Sequence, residues 1–199
     1  MDKAAIQTSS AARERVFMSD AARQVALVVG GSLVVALCAR VAIPLPGTPV
    51  PLTVANFGVL LVGLILGSRR GFAALALYLA EGAMGLPVFS PTGVGGMAQL
   101  FHGATAGFLL GYPLAAWVAG YVMERGRKSF ARAAVGGLLG EIVLFIGGLT
   151  WLAVLTHSVA LAFRLGLYWF LFAEIIKVMV AAGVAAQWRR VRSDSGKVE

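Results

Sequence analysis

The chain is built from apolar runs, each about as long as a bilayer is thick, parted by short basic clusters. Six such runs can be marked, at about 24–43, 52–68, 71–86, 103–123, 133–155 and 165–188. A helix needs roughly 17–25 residues to cross the hydrocarbon core, so the second and third runs sit at or below the lower limit. The runs stop at polar signals: SRRG at 68–71, ERGRK at 124–128, and QWRR at 187–190 with its interfacial tryptophan. In lipid, only segments that satisfy their own backbone hydrogen bonds can span. The pattern therefore predicts an all-α integral membrane protein: one domain over 1–199 with six transmembrane helices.

Composition agrees. Hydrophobic residues make up 59% of the 199 and charged residues only 13%, against about 25% charged in soluble domains. Mean hydropathy is +0.84. A net charge of +8 alone would suggest nucleic acid, but the basic residues are strung between apolar runs and form no basic face, so no nucleic-acid partner is expected.

The basic residues also set the orientation. Lys3, Arg13, Arg15 and Arg23 precede the first run; Arg69 and Arg70 lie in the second connection; Arg125, Arg127, Lys128 and Arg132 lie in the fourth; Arg189, Arg190, Arg192 and Lys197 close the chain. All fourteen fall on one side of a six-span arrangement. The other side holds only Arg40 and Arg164. By the positive-inside rule both termini are cytoplasmic, with tails at 1–22 and 189–199. A cleaved signal peptide is not expected, because the polar lead exceeds 20 residues and VALC at 35–38 has leucine where a lipoprotein site needs a small residue. Cys38 is the sole cysteine and His102 and His157 are isolated, so neither an intrachain disulfide nor a metal site is expected.

Two outer connections are unusual. Residues 43–53, IPLPGTPVPLT, hold four of the seven prolines and form a stiff, extended cap. Residues 85–107, GLPVFSPTGVGGMAQLFHGATAG, are glycine-rich and almost uncharged, with Phe89, Met97, Leu100 and Phe101 to bury. Two readings stand here: a folded lid on the helix bundle, between helices 3 and 4, or an ordinary re-entrant loop.

Intramembrane charge points to a site, because such residues are costly and face the bundle interior. The runs contain Glu81, Glu141, Glu174 and Lys177. Glu174 and Lys177 are three residues apart, which stacks them on one helix face. They lie about 13–18 Å below the outer start of the sixth run at 1.5 Å per residue. Glu141 lies nearer the cytoplasm and reads as a helix–helix contact. A bare ion pair repays its desolvation poorly, so orientation of the helix is a weak reason for Glu174 and Lys177. An intramembrane enzyme would need a convergent nucleophile, base or metal set, and none is visible. A plain membrane scaffold would explain neither the long outer connections nor the buried charges. No P-loop occurs, so driven transport would need a partner.

Specific motifs narrow the class. LPGTPVPLT, then GLILGSRRGFAALALYLAEGAMGLPVF, then GATAGFLLGYPLAAWVAG, and finally EIIK resemble the biotin-specific substrate-binding (S) component of energy-coupling factor transporters, the BioY family. The likeness runs in order from about 43 to 121 and resumes in the sixth run. This chain departs from the family pattern at Ala104 (proline is usual), Phe108 (tyrosine), Ala55 (glutamine) and Glu174 (aspartate). The resemblance implies a six-helix protein of the plasma (inner) membrane that is not an enzyme and carries no cofactor. It implies high-affinity binding of biotin from outside, with a transmembrane coupling component and two cytoplasmic ATPases as partners. A different vitamin is the variant reading.

Given biotin, the ureido ring presents two N–H donors beside one carbonyl. Glu174 can accept from an N–H while Lys177 donates to the carbonyl, in preference to Lys177 taking the valerate carboxylate. Tyr78, Glu81 and Asn56 are expected to add polar contacts, and Phe89, Phe101 and Trp169 apolar walls. Ala22 and Ala26 form a small-xxx-small pair on the first helix, of the kind that lets helices approach closely. The resemblance implies that this helix contacts the coupling component. A reporter fused after Glu199 and an accessibility tag at Ser129 should both report cytoplasm, and a tag at Gly93 the outside. A tag at Ser129 that is accessible from outside would refute the six-span arrangement.

Overall fold

The computed structural model describes residues 3–126 and 129–195, with side chains described only between 20 and 188. Arg127, Lys128 and Lys197 lie outside the described residues, and of the other terminal basic residues used for the orientation only Arg23 has its side chain described.

Helices dominate. Helix α1 covers Lys3–Arg40, α2 Ala55–Leu66, α3 Ser68–Ala83, α4 Gly96–Phe101, α5 Ala106–Glu124, α6 Phe130–Thr156, α7 Val159–Gly166 and α8 Leu171–Ser195. Among the described residues, four stretches are long and apolar enough to cross a membrane: Asp20–Arg40, Ala106–Glu124, Phe130–Thr156 and Leu171–Trp188. The second and third expected runs become α2, with 12 residues, and α3, with 16, about 18 and 24 Å long. Gly67 breaks them apart at φ +87.

Three boundaries differ from expectation. The segment read as a tail over 1–22 supplies, from Lys3, the start of α1. The sixth run does not begin at 165 as one helix: α7 ends at Gly166 and α8 opens at Leu171. The proline-rich connection contains a two-residue antiparallel pairing of β1 (Ala42–Ile43) with β2 (Leu52–Thr53), in register Ala42 to Thr53 and Ile43 to Leu52. The chain is thus not purely helical. Proline lacks an N–H and tolerates only edge positions in a ladder, which keeps this pairing short.

Packing rests on small residues. Lipid tails are as apolar as leucine, so helices associate through close van der Waals contact. Helix α5 carries buried Ala115, Ala116, Ala119 and Gly120 on the surfaces that meet α2, α3 and α6. A Cβ added at Gly63 of α2 would lie 2.8 Å from the Ala116 Cα, and one at Gly140 of α6 would lie 3.0 Å from the Ala115 oxygen. At the end of α5, Glu124 accepts from the Ser68 N–H at 2.8 Å and from its hydroxyl at 2.7 Å, which caps α3.

Gly63→Ala should therefore lower stability by about 1–3 kcal/mol. Gly30→Ala adds a Cβ that meets nothing within 4 Å and should leave stability unchanged or slightly raised. Thermal unfolding in detergent checks the contrast; equal effects would contradict this packing.

Candidate functional site

The helices leave a narrow cavity of about 50 Å³ beneath the two long connections. Helix α2 contributes Asn56, α3 Tyr78, α5 Phe108 and Tyr112, α6 Phe145, and α8 Glu174. Phe89, Ser90 and Thr105, from the glycine-rich connection, and Gln99 of α4 complete the outer part.

Its polar floor is built from two hydrogen-bonded groups. Lys177 donates to Glu174 Oε1 at 2.7 Å and to the Thr53 carbonyl at 2.6 Å. The β1–β2 pairing carries Thr53, so the proline-rich cap helps to position the ammonium. Asn56 donates to Glu141 Oε1 at 3.3 Å and accepts from the Tyr112 hydroxyl at 3.2 Å. Glu141 and Glu174 are 5% and 3% exposed, and the Oε2 atom of each has no hydrogen-bond partner. A buried acceptor left unpaired costs about 1–3 kcal/mol, more when charged. Glu174 Oε2 belongs to a residue that lines the cavity and so has an acceptor to offer a ligand.

The walls are aromatic. Tyr78 stacks with Tyr112 at a centroid distance of 6.1 Å and meets Phe89 edge-on at 5.4 Å. The Tyr78 hydroxyl donates to the Val88 carbonyl at 3.2 Å, and Arg40 donates to the Pro87 carbonyl at 2.8 Å. These bonds fasten the GLPVF turn from α3 and α1, and place Phe89 on the cavity. Gln99 donates to Thr105 Oγ1 at 2.5 Å and accepts from the Gly95 N–H at 3.4 Å.

Of the residues expected at the site, Glu174, Asn56, Tyr78 and Phe89 line the cavity. Lys177 adjoins it through Glu174. Three others lie elsewhere. Glu81 accepts from Ser32 Oγ at 3.1 Å and joins α3 to α1. Phe101 is 55% exposed and Trp169 45%, so neither ring is a wall of the cavity. Ala22 and Ala26 are exposed on α1. Glu141, read as a helix–helix contact, makes one: it accepts from Asn56 and so joins α6 to α2.

Tyr112, Gln99 and Thr105 were missed. Tyr112 had a signal, as a hydroxyl inside an apolar span beside Pro113; Gln99 and Thr105 had none beyond polarity. No group of metal-ligating residues occurs among the described residues.

The model of the BioY family matches residues 7–194. The chain belongs to the BioY family. A biotin transporter BioY of Thermotoga maritima is 36% identical over 149 residues, covering 75% of this chain and 86% of the relative. One from Rhizobium etli is 37% identical over 162 residues, covering 76% and 84%. The crystal structure of the S-component for biotin from an ECF-type ABC transporter shares the fold, with a TM-score of 0.78 at 19% identity, covering 86% of this chain and 93% of that one. With its apolar helices, this BioY family member is a membrane protein.

Proposed function

We propose that this chain is the biotin-binding S component of an uptake transporter. The observation that carries the reading is the unpartnered Glu174 Oε2 beside the Lys177 ammonium at an aromatic-walled cavity. A ureido N–H satisfies that oxygen. Lys177 uses two donors within the protein and has a third for the ureido carbonyl. Asn56 and Tyr112 are oriented by each other and by Glu141, so their remaining polar capacity is directed before the ligand arrives. The bicyclic ring then lies between Tyr78, Tyr112, Phe89 and Phe108, and the valerate points outward to Ser90, Gln99 and Thr105. Family membership and the biotin transporters among the relatives support biotin over another vitamin.

In this reading α1, α2, α3, α5, α6 and α8 are the six membrane helices, with α2 and α3 short because they end beneath the outer connections. The α4 region is a lid held by Gln99, by Arg40 and by the Trp151 indole, which donates to the Gly103 carbonyl at 2.9 Å. Both termini face the cytoplasm of the plasma (inner) membrane. The chain has no P-loop, so uptake is powered by two cytoplasmic ATPases through a membrane coupling component that docks on α1 near Ala22 and Ala26.

Glu174→Gln should weaken biotin binding by about 1–2 kcal/mol, since the amide still accepts without charge assistance. Lys177→Met should lose about 3–5 kcal/mol, because it strands a buried carboxylate. The double substitution should restore thermal stability but not affinity in labelled-biotin binding. A double variant that binds like the parent would limit the pair to a structural role. Ala22→Leu with Ala26→Leu should reduce co-purification with the coupling component and leave biotin binding intact. Undiminished co-purification would move the docking surface elsewhere.

A further inference from the structure

On the outside of the bundle, a groove of about 370 Å³ opens between α3 and α5, lined by Arg69, Phe72, Leu114 and Trp117. Its apolar members are held open to the surroundings: Phe72 is 44% exposed, Leu114 50% and Trp117 37%. Trp117 stacks on Tyr121 at a centroid distance of 4.9 Å, and the Arg125 guanidinium lies 4.0 Å from the centre of the Tyr121 ring. The three form one continuous stripe along α5, at successive i, i+4 positions.

The charge distribution is asymmetric. Among the described residues, neither the Arg69 nor the Arg125 guanidinium has a hydrogen bond or ion pair. The nearby acid, Glu124, already accepts from both the N–H and the hydroxyl of Ser68. One such guanidinium, Arg69, therefore lines the apolar groove, and the other, Arg125, stands at the end of α5 beside the Glu124–Ser68 joint. From Arg125 down to Leu114 is eleven residues, about 16 Å along a helix, close to half the thickness of a hydrocarbon core. Interfacial arginine and tryptophan belong at headgroup depth, with the apolar residues below them facing acyl chains. A guanidinium pairs with a phosphate by two parallel hydrogen bonds, and basic pockets between membrane helices suit anionic headgroups.

We infer that the α3–α5 groove is a binding site for one anionic phospholipid, with Arg69 and Arg125 on the phosphate and Phe72, Leu114 and Trp117 along an acyl chain. Tyr121 sets the Arg125 guanidinium by stacking beneath it. The lipid covers the joint at which Glu124 caps α3, and so ties the two helices together at their basic end. This inference rests on the membrane placement alone and holds whatever the cavity binds.

Native mass spectrometry of the full chain, purified in detergent and supplied with phosphatidylglycerol or phosphatidylcholine of matched acyl chains, tests it. The parent should retain phosphatidylglycerol about tenfold over phosphatidylcholine, a modest expectation for two interfacial arginines. Arg69→Gln with Arg125→Gln should bring the two lipids near parity, and Arg69→Lys with Arg125→Lys should keep most of the preference. Trp117→Ala should lower retention of both lipids several-fold. A parent without headgroup preference would overturn the inference and leave the groove to ordinary boundary lipid or a partner protein. A preference that survives the double glutamine variant, with the lysine variant as the folding control, would also overturn it. Retention unaffected by Trp117→Ala would remove the acyl half of the site.

Discussion

Close approach of backbones along one face of α5 is the contact on which the rest of the structure depends. Within a bilayer, burial of apolar side chains from water supplies little drive between helices. Ala115, Ala116, Ala119 and Gly120 allow α2, α3 and α6 to come near enough for dispersion to take its place. The same approach sets the polar floor. Asn56 on α2 reaches Glu141 on α6 and Tyr112 on α5 only because the three helices meet at small residues. Site geometry and helix packing are therefore one problem, and a bulky side chain at Gly63 would disturb both.

The charges obey a second constraint. A lone ammonium or carboxylate at this depth would be expensive, and the structure answers by pairing. Lys177 is held by Glu174 and by a backbone carbonyl from the proline-rich connection. That connection is thus more than a cap: its two-residue β pairing delivers Thr53 to the ammonium. Unfilled acceptor capacity remains on the buried carboxylate oxygens of Glu141 and Glu174, and under the proposed function that of Glu174, which lines the cavity, favours a polar ring over an apolar one. A site already fully satisfied would gain nothing from a ligand's donors.

Much of this was legible beforehand. Apolar run length and basic clusters mark the membrane helices because lipid demands both, independent of how the helices pack. Glu174 and Lys177 stood out since charge is rare in such runs, and the GLPVF turn since its residues are unlike a linker. That Phe101 and Trp169 do not line the cavity has a physical reason. An aromatic residue at a membrane surface lowers its free energy equally well in a cavity wall or against lipid, and nothing local tells the two apart. Glu81 likewise lies outside the lining, bonded to Ser32, which is 49 positions away on another helix.

Sequence by itself determined the solvent of this protein, its helical character and the costly residues within it, because these follow from composition and period along one segment. The tertiary structure alone decided which polar groups meet. Asn56, Tyr112, Glu141 and Glu174 come from four helices, and their convergence depends on the rotation and depth of each. Those quantities are set by pairwise contacts such as Gly63 on Ala116, between residues far apart in the chain. No local pattern records them.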